Sequence, residues 1–190
     1  LGFLGYGYKT QTVLLPCEEL ADKVMTVEAE LTAYPEERES CLLLYVRFRD
    51  EALPNVEGVL FDYARAGAEL RPGDKLRAEV KFRSAQHRYN EETDVNISKG
   101  LYALGYIKGE LSLTGHADHE LRYLPKLIGH AIGEKLREIF PQSSAPLMLA
   151  LMTGDRTDYY DDDRLSSSMS LAGLAHVVAV SGMHVAFLVS

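Results

Sequence analysis

The last 26 residues, from Leu165 to Ser190, contain no Asp, Glu, Lys or Arg. Because a bilayer core needs about 20 consecutive apolar residues, this composition predicts a segment that lies in lipid. Two histidines and several serines interrupt it, and polar groups kept in lipid usually face a pore, a cavity or another helix. We therefore interpret the chain as a fragment of a larger membrane protein, cut inside or at the end of its first strongly apolar span.

The residues before this run have the composition of a folded domain, since hydrophobic residues make up 46% of the chain and charged residues 25%. The net charge of -8 argues against a surface that wraps nucleic acid everywhere, because phosphate binding depends on Lys and Arg. Between Arg71 and Arg88, however, six basic residues stand against two acidic ones. We expect any anionic partner to dock on this segment.

Alternating apolar and polar residues predict strands in the first part of the chain. The five candidate runs are residues 24–34, 42–49, 56–63, 75–83 and 101–113. Five strands in about 90 residues predict a small closed barrel, with residues 86–99 as a polar loop. The fourth run turns Leu76, Ala78, Val80 and Phe82 inward, so Lys75, Arg77, Lys81 and Arg83 share its outer face with Glu79. Cys17 and Cys41 are interpreted either as a disulfide or as buried thiols.

A helical period replaces the strand period after Gly115. Apolar residues then recur at spacings of three and four, which predicts an amphipathic helix starting at His116. Its stripe is Leu121, Leu124, Ile128, Ile132, Leu136 and Ile139. Such a helix lies on a membrane surface or packs on the barrel. A second helix is predicted over 145–152, and Asp161–Asp163 are expected to begin a third by favourable placement in the helix dipole rather than to bind a cation.

The most specific pattern is a set of three short elements near the end of the chain. Gly154-Asp155-Arg156 is followed by Gly173-Leu-Ala-His176 and by Ser181-Gly182-Met-His184. This pattern resembles the start of the competence domain of ComEC-type DNA-uptake membrane proteins. The resemblance implies an OB-like barrel at residues 9–115 outside the bacterial cytoplasmic membrane. It further implies a connecting helix at 116–142, a truncated competence-type membrane domain at 143–190, and the tail of an earlier membrane helix at 1–8.

By the same resemblance, the full protein carries one strand of transforming DNA through the cytoplasmic membrane. Expected partners are single-stranded DNA, the lipid bilayer and other competence-machinery proteins, with a homo-oligomer left open. His176 and His184 either line the DNA route or hold neighbouring helices together by hydrogen bonds. No catalytic residue, metal site or cofactor is predicted, because Ser181 and His184 lack an orienting acid nearby in the sequence.

Basic and aromatic residues of the barrel are the candidate DNA contacts, because OB-folds bind single strands with a basic groove and stacking aromatic rings. The candidates are Arg47, Arg49, Lys75, Arg77, Lys81, Arg83, Tyr45 and Tyr89. The competing interpretation is an ordinary solvated barrel surface, or one that contacts lipid headgroups. The alternative function is a membrane-tethered OB module that binds oligosaccharide or a protein partner and transports nothing.

Overall fold

A computed structural model describes residues 10–50, 53, 55–88, 91–92, 95–117, 120–154, 156–174 and 176–177. The chain divides into two compact units, Leu1–Tyr123 and Leu124–Ser190. The first unit is mainly β and the second, in its described residues, is helical.

In the residues that the structure describes, the first unit contains eight strands of very different length. They are β1 (Val24–Leu31), β2 (Glu36–Glu37), β3 (Leu42–Phe48), β4 (Glu57–Asp62), β5 (Asp74–Arg83), β6 (His87–Arg88), β7 (Glu91–Glu92) and β8 (Ala103–His116). Its helical segments are a π-helical turn (Thr10–Leu14), α1 (Leu15–Glu19), α2 (Val95–Ser98) and a 3-10 turn (Glu120–Arg122).

Five of these strands close into a barrel. β1 pairs antiparallel with both β3 and β5, β5 pairs antiparallel with β8, and β3 pairs antiparallel with β4. The ring closes through β4 and β8, which run parallel with Gly58 opposite Ala103 and Leu60 opposite Gly105. The predicted five-stranded closed barrel is therefore confirmed, including the expected antiparallel pairing of its first two strands.

The barrel core consists of the apolar residues that the alternation pattern placed inward. β3 buries every second residue from Leu42 to Phe48, and β5 does the same from Asp74 to Phe82. The rings of Phe48 and Phe82 pack with their centroids 5.7 Å apart. Burial of this alternating set stabilises the barrel by about 1.5–3 kcal/mol for each large apolar side chain.

Two glycines allow β8 to approach the strands on either side of it. A Cβ on Gly58 of β4 would lie 2.1 Å from the carbonyl oxygen of Ala103 of β8, and one on Gly105 of β8 would lie 2.3 Å from Cγ1 of Val80 of β5. Real Cβ atoms do not tolerate such distances, so a larger residue at Gly58 forces β4 away from β8, and one at Gly105 forces β8 away from β5.

We predict that Gly58→Ala lowers the free energy of unfolding of the barrel by about 1–3 kcal/mol, because the extra methyl overpacks the junction between β4 and β8. Urea unfolding followed by circular dichroism measures the change. The matched control is Gly129→Ala in a helix of the second unit, where a Cβ meets nothing within 4 Å. There the same substitution should stabilise by about 0.5–1 kcal/mol. Equal effects at the two sites contradict the packing argument.

Glu30 departs from the alternation pattern. The sequence places it on the outer face of β1, yet it is only 4% exposed. Tyr123 donates its hydroxyl hydrogen to Glu30 Oε1, and Arg49 donates from Nε and Nη2 to Oε2 at 3.0 and 2.6 Å. Burial acts to raise the pKa of Glu30, but these hydrogen bonds and the charges of Arg49 and Arg47 outweigh it, so the pKa lies below its ordinary value. The carboxylate therefore anchors the end of the first unit to β1.

We predict that Tyr123→Phe destabilises the barrel by about 1.5–3 kcal/mol at neutral pH, the usual contribution of a hydrogen bond to a charged group. Because the pKa of Glu30 is lowered in the folded state, the ionised carboxylate contributes its full stabilisation of the fold above pH 4.5. That stabilisation is lost as the pH falls through the folded pKa. Glu30→Gln should therefore flatten the stability profile below pH 4.5.

Urea unfolding between pH 3 and 7 tests both statements. Tyr63→Phe is the control, because it removes a hydroxyl from an exposed ring of the same barrel and should change stability by less than about 0.5 kcal/mol. An unchanged acid profile in Glu30→Gln contradicts the anchoring role of Glu30.

Several details of the first unit differ from the sequence-based expectations. β8 continues to His116, whose Nδ1 lies 2.6 Å from Oδ1 of the buried Asp74, so the helix expected to start there does not. The predicted loop at 86–99 contains the short strands β6 and β7 and the single turn α2. Of the two interpretations of Cys17 and Cys41, by contrast, the buried thiols are confirmed, since both cysteines are free and buried and burial raises the pKa of Cys17 to about 12.

The second unit contains four helices in its described residues. They are α3 (Leu124–Ile139), α4 (Ala145–Met152), α5 (Thr157–Asp161) and α6 (Asp163–Leu171). The predicted α4 is confirmed. α6 begins where the acidic run indicated, with the Asp162 side chain accepting from the backbone N–H of Arg164 and Leu165. The short helix α5 was not predicted.

The apolar stripe of α3 is mostly exposed. Leu136 is buried, and Gly133 lies against Leu149 of α4, where a Cβ would be 3.2 Å from Cδ2. Leu124, Ile128 and Ile139, by contrast, are exposed. The amphipathic character is therefore as predicted, but the helix starts at Leu124 rather than at His116.

The uncharged run is not one continuous helix in the part that the structure describes. Its first seven residues complete α6, which ends at Leu171 and is followed by Gly173 with a φ of +70°. Residues 178–190 lie outside the described residues. Within the described ranges, no helix combines the length and the apolar composition that crossing a bilayer requires.

Candidate nucleic-acid interface

One transverse row of side chains crosses the outer face of the barrel. The strand registers align Leu43 of β3 with Phe61 of β4, Phe61 with Tyr106 of β8, and Tyr106 with Lys81 of β5. The row is extended by Glu36 of β2, which is opposite Leu43, and by Val24 of β1, which is opposite Lys81. The row therefore begins with a carboxylate, passes over two aromatic rings and reaches a cation.

Three aromatic rings cluster in and beside this row. The ring centroids of Phe61 and Tyr106 are 5.4 Å apart, and those of Tyr63 and Tyr106 are 6.0 Å apart, with the planes tilted by 39° and 37°. Phe61 and Tyr106 are half-buried, while Tyr63 is 56% exposed. Tyr63 is therefore the ring of this cluster that is most accessible to a planar ligand.

Two cations flank the aromatic cluster on the β5 side. Arg83 donates from Nη1 to the hydroxyl oxygen of Tyr106 at 2.9 Å, and its guanidinium carbon lies 5.9 Å from the centroid of that ring. Lys81 lies opposite Tyr106, and its Nζ is 3.3 Å from Oδ1 of Asp22. We call these five residues, Phe61, Tyr63, Lys81, Arg83 and Tyr106, the aromatic–cation surface.

The other predicted cations lie among carboxylates. Arg47 pairs with Glu57 across β3 and β4 at 2.5 Å, and Arg49 binds Glu30 and also donates to Oδ1 of Asn55 at 2.7 Å. Lys75 lies opposite Glu30, and Arg77 lies opposite Glu28. The basic face that the sequence indicated is therefore interleaved with carboxylates, and these include Asp22 beside Lys81.

The two predicted stacking tyrosines are placed differently from expectation. Tyr45 is half-buried and donates to Oε2 of Glu36 at 2.9 Å; burial and this bond raise its pKa to about 12. Tyr89 lies outside the described residues. Sequence reasoning missed Phe61, Tyr63 and Tyr106, because only the pairing of β4 with β8, which are distant in sequence, brings their rings together.

The three short elements near the end of the chain, at residues 154–156, 173–176 and 181–184, are described only in part. Gly154 and Gly173 have φ angles of +78° and +70°, which favour glycine at both turns. The carbonyl of Arg156 accepts from the backbone N–H of Tyr160 at the start of α5, and His176 is exposed. Asp155, Ser181, Gly182 and His184 lie outside the described residues. Among the side chains that the structure describes, no cluster of His, Cys, Asp or Glu has the arrangement of a metal site.

No family model and no curated protein matches the chain. Among solved structures, it is similar to a chain described as an OBody bound to hen egg-white lysozyme, with 9% sequence identity and a TM-score of 0.37. The similarity covers 53% of this chain and 89% of that chain.

Proposed function

We propose that the barrel is an OB-like module that binds single-stranded nucleic acid on the aromatic–cation surface. The observation that carries this proposal is the contact of Phe61, Tyr63 and Tyr106 next to Arg83 and Lys81. The OB-like assignment is supported by the closed order of the five strands, in which the third and fifth barrel strands run parallel.

Stacking and charge act together at such a surface. A base that stacks on an aromatic side chain contributes about 1–3 kcal/mol, and the stacking needs no particular base because every base has a flat face. Lys81 and Arg83 supply positive charge for the phosphate next to the stacked base. Stacking requires unpaired bases, so the surface favours a single strand over a duplex.

The wider role that we propose is in the uptake of transforming DNA. In this role the barrel lies outside the bacterial cytoplasmic membrane, and the chain is part of a multi-pass channel protein that works with other competence proteins. Support comes from the motif at Gly154, Arg156, Gly173 and His176 and from the uncharged run that ends at Ser190. The barrel then holds an incoming strand, and passage through the membrane needs no chemistry from this chain.

We predict that the intact chain binds fluorescein-labelled oligo(dT) with an affinity that falls as salt is added, since bound phosphates release counterions. Tyr63→Ala should weaken binding by about 5- to 150-fold, the equivalent of one stacked base. Lys81→Met should weaken binding. It should also make the slope of the logarithm of the binding constant against the logarithm of the salt concentration shallower by about 0.7, the value for one phosphate on a single strand. Fluorescence anisotropy between 50 and 400 mM salt measures all three quantities.

Arg77→Met is the matched control, because it removes a cation from the same strand at a position opposite Glu28. It should leave the affinity within about twofold of the parent chain. An equal loss in Arg77→Met and Lys81→Met contradicts the assignment of the site. Salt-independent binding of an oligosaccharide in place of oligo(dT) favours the alternative, a glycan-binding OB module.

A further inference from the structure

A carboxylate stands beyond the cationic end of the row. Asp22 precedes β1, its side chain is 88% exposed, and its Oδ1 lies 3.3 Å from Nζ of Lys81. Its backbone N–H donates to the carbonyl of Phe82 at 3.0 Å, and the N–H of Phe82 donates to the carbonyl of Lys23 at 2.9 Å. These two bonds hold the backbone of Asp22 beside β5, and its carboxylate pairs with Lys81.

An acidic loop stands beyond the other end of the row. Glu36 is the β2 member of the row, opposite Leu43, and Glu37 and Glu39 follow it. Arg65 clamps this loop, because it pairs with Glu37 and donates from Nη2 to the carbonyls of Arg38 and Glu39 at 3.0 and 3.3 Å. Arg38 also pairs with Glu36, so the loop and Arg65 together hold one excess negative charge in a defined place.

The distance between these two acidic boundaries limits the length of the strand that the row can hold. From Leu43 to Lys81 the row crosses three strand spacings of about 4.8 Å each, or about 14 Å. Stacked nucleotides rise by about 3.4 Å along a strand. The uncharged and cationic part of the row therefore accommodates about four nucleotides, and a backbone that continues in either direction meets carboxylates.

We propose that the aromatic–cation surface is a short site, closed by carboxylates at both ends, that holds no more than about four nucleotides of a single strand. This inference rests on the proposed function. A phosphate lies at Lys81 and Arg83, and bases stack on Phe61 and Tyr106. Beyond them, repulsion from Asp22 and from the acidic loop directs the rest of the strand away from the barrel.

The test is a length series of oligo(dT), from two to 16 nucleotides, bound to the intact chain at several salt concentrations. The salt dependence counts the phosphates neutralised and is insensitive to the number of equivalent binding positions on a longer strand. It should steepen up to about four nucleotides and then stay constant. A dependence that keeps steepening from four to 16 nucleotides overturns the inference.

Variants of the boundaries sharpen the test. Asp22→Asn retains a residue that tolerates the positive φ of 64° and removes the charge, and Glu39→Gln removes the excess negative charge of the acidic loop while the Arg38–Glu36 and Arg65–Glu37 pairs remain. Each should tighten binding of 16 nucleotides by at least threefold while the effect on four nucleotides stays smaller. Glu110→Gln is the control, because it makes the same charge change as Asp22→Asn on an exposed part of β8 outside the row. It should change the affinities for four and for 16 nucleotides by the same factor.

The possible failures are distinguishable. Absence of binding at every length, in the parent chain and in all variants, overturns the proposed function and this inference together. Binding that is weakened by Tyr63→Ala, but whose salt dependence continues to steepen with length, overturns only the short-site inference. Boundary variants that tighten short and long strands equally also overturn it, since the carboxylates then act on the whole site and not on its ends.

Discussion

The parallel pairing of β4 with β8 is the contact on which the rest of the first unit depends. It closes the barrel, and it is possible because Gly58 leaves no side chain between β4 and the carbonyl of Ala103 on β8. The same register sets Phe61 beside Tyr106 on the outer face. A change that separates these strands therefore opens the core and disperses the aromatic cluster at once, so stability and the candidate site share one structural cause.

Aromatic neighbours distinguish the candidate site from the rest of the outer face. The barrel carries many cations, and Arg47, Arg49, Lys75 and Arg77 lie opposite or against carboxylates of adjacent strands. Lys81 also pairs with Asp22, but it lies opposite Tyr106, and the guanidinium of Arg83 lies over the same ring. A local site of this kind is compatible with the net charge of -8, since binding then relies on stacking as much as on counterion release.

Much of the barrel could be predicted from the sequence because the alternation of apolar and polar residues within a strand depends only on residues that are close in the chain. Alternation at Leu42–Phe48 and at Asp74–Arg83 fixes which residues face inward, whatever the strand order. The site could not be found in the same way, since Phe61 and Tyr106 meet only through pairing between segments far apart in the chain. Glu30 was assigned to the surface because alternation does not show that Tyr123, 93 residues later, covers it. The helix start at His116 was wrong because β5 offers that segment a strand partner, which outweighs its helical spacing.

The most direct test of binding at the aromatic–cation surface is chemical-shift mapping by nuclear magnetic resonance during titration of the chain with a four-nucleotide oligo(dT). If the strand binds there, the largest changes fall on the ring signals of Phe61, Tyr63 and Tyr106 and on the side-chain signals of Lys81 and Arg83. The signals of Lys75 and Arg77 then change little. Changes centred on Lys75 and Arg77, with the three rings unaffected, contradict it.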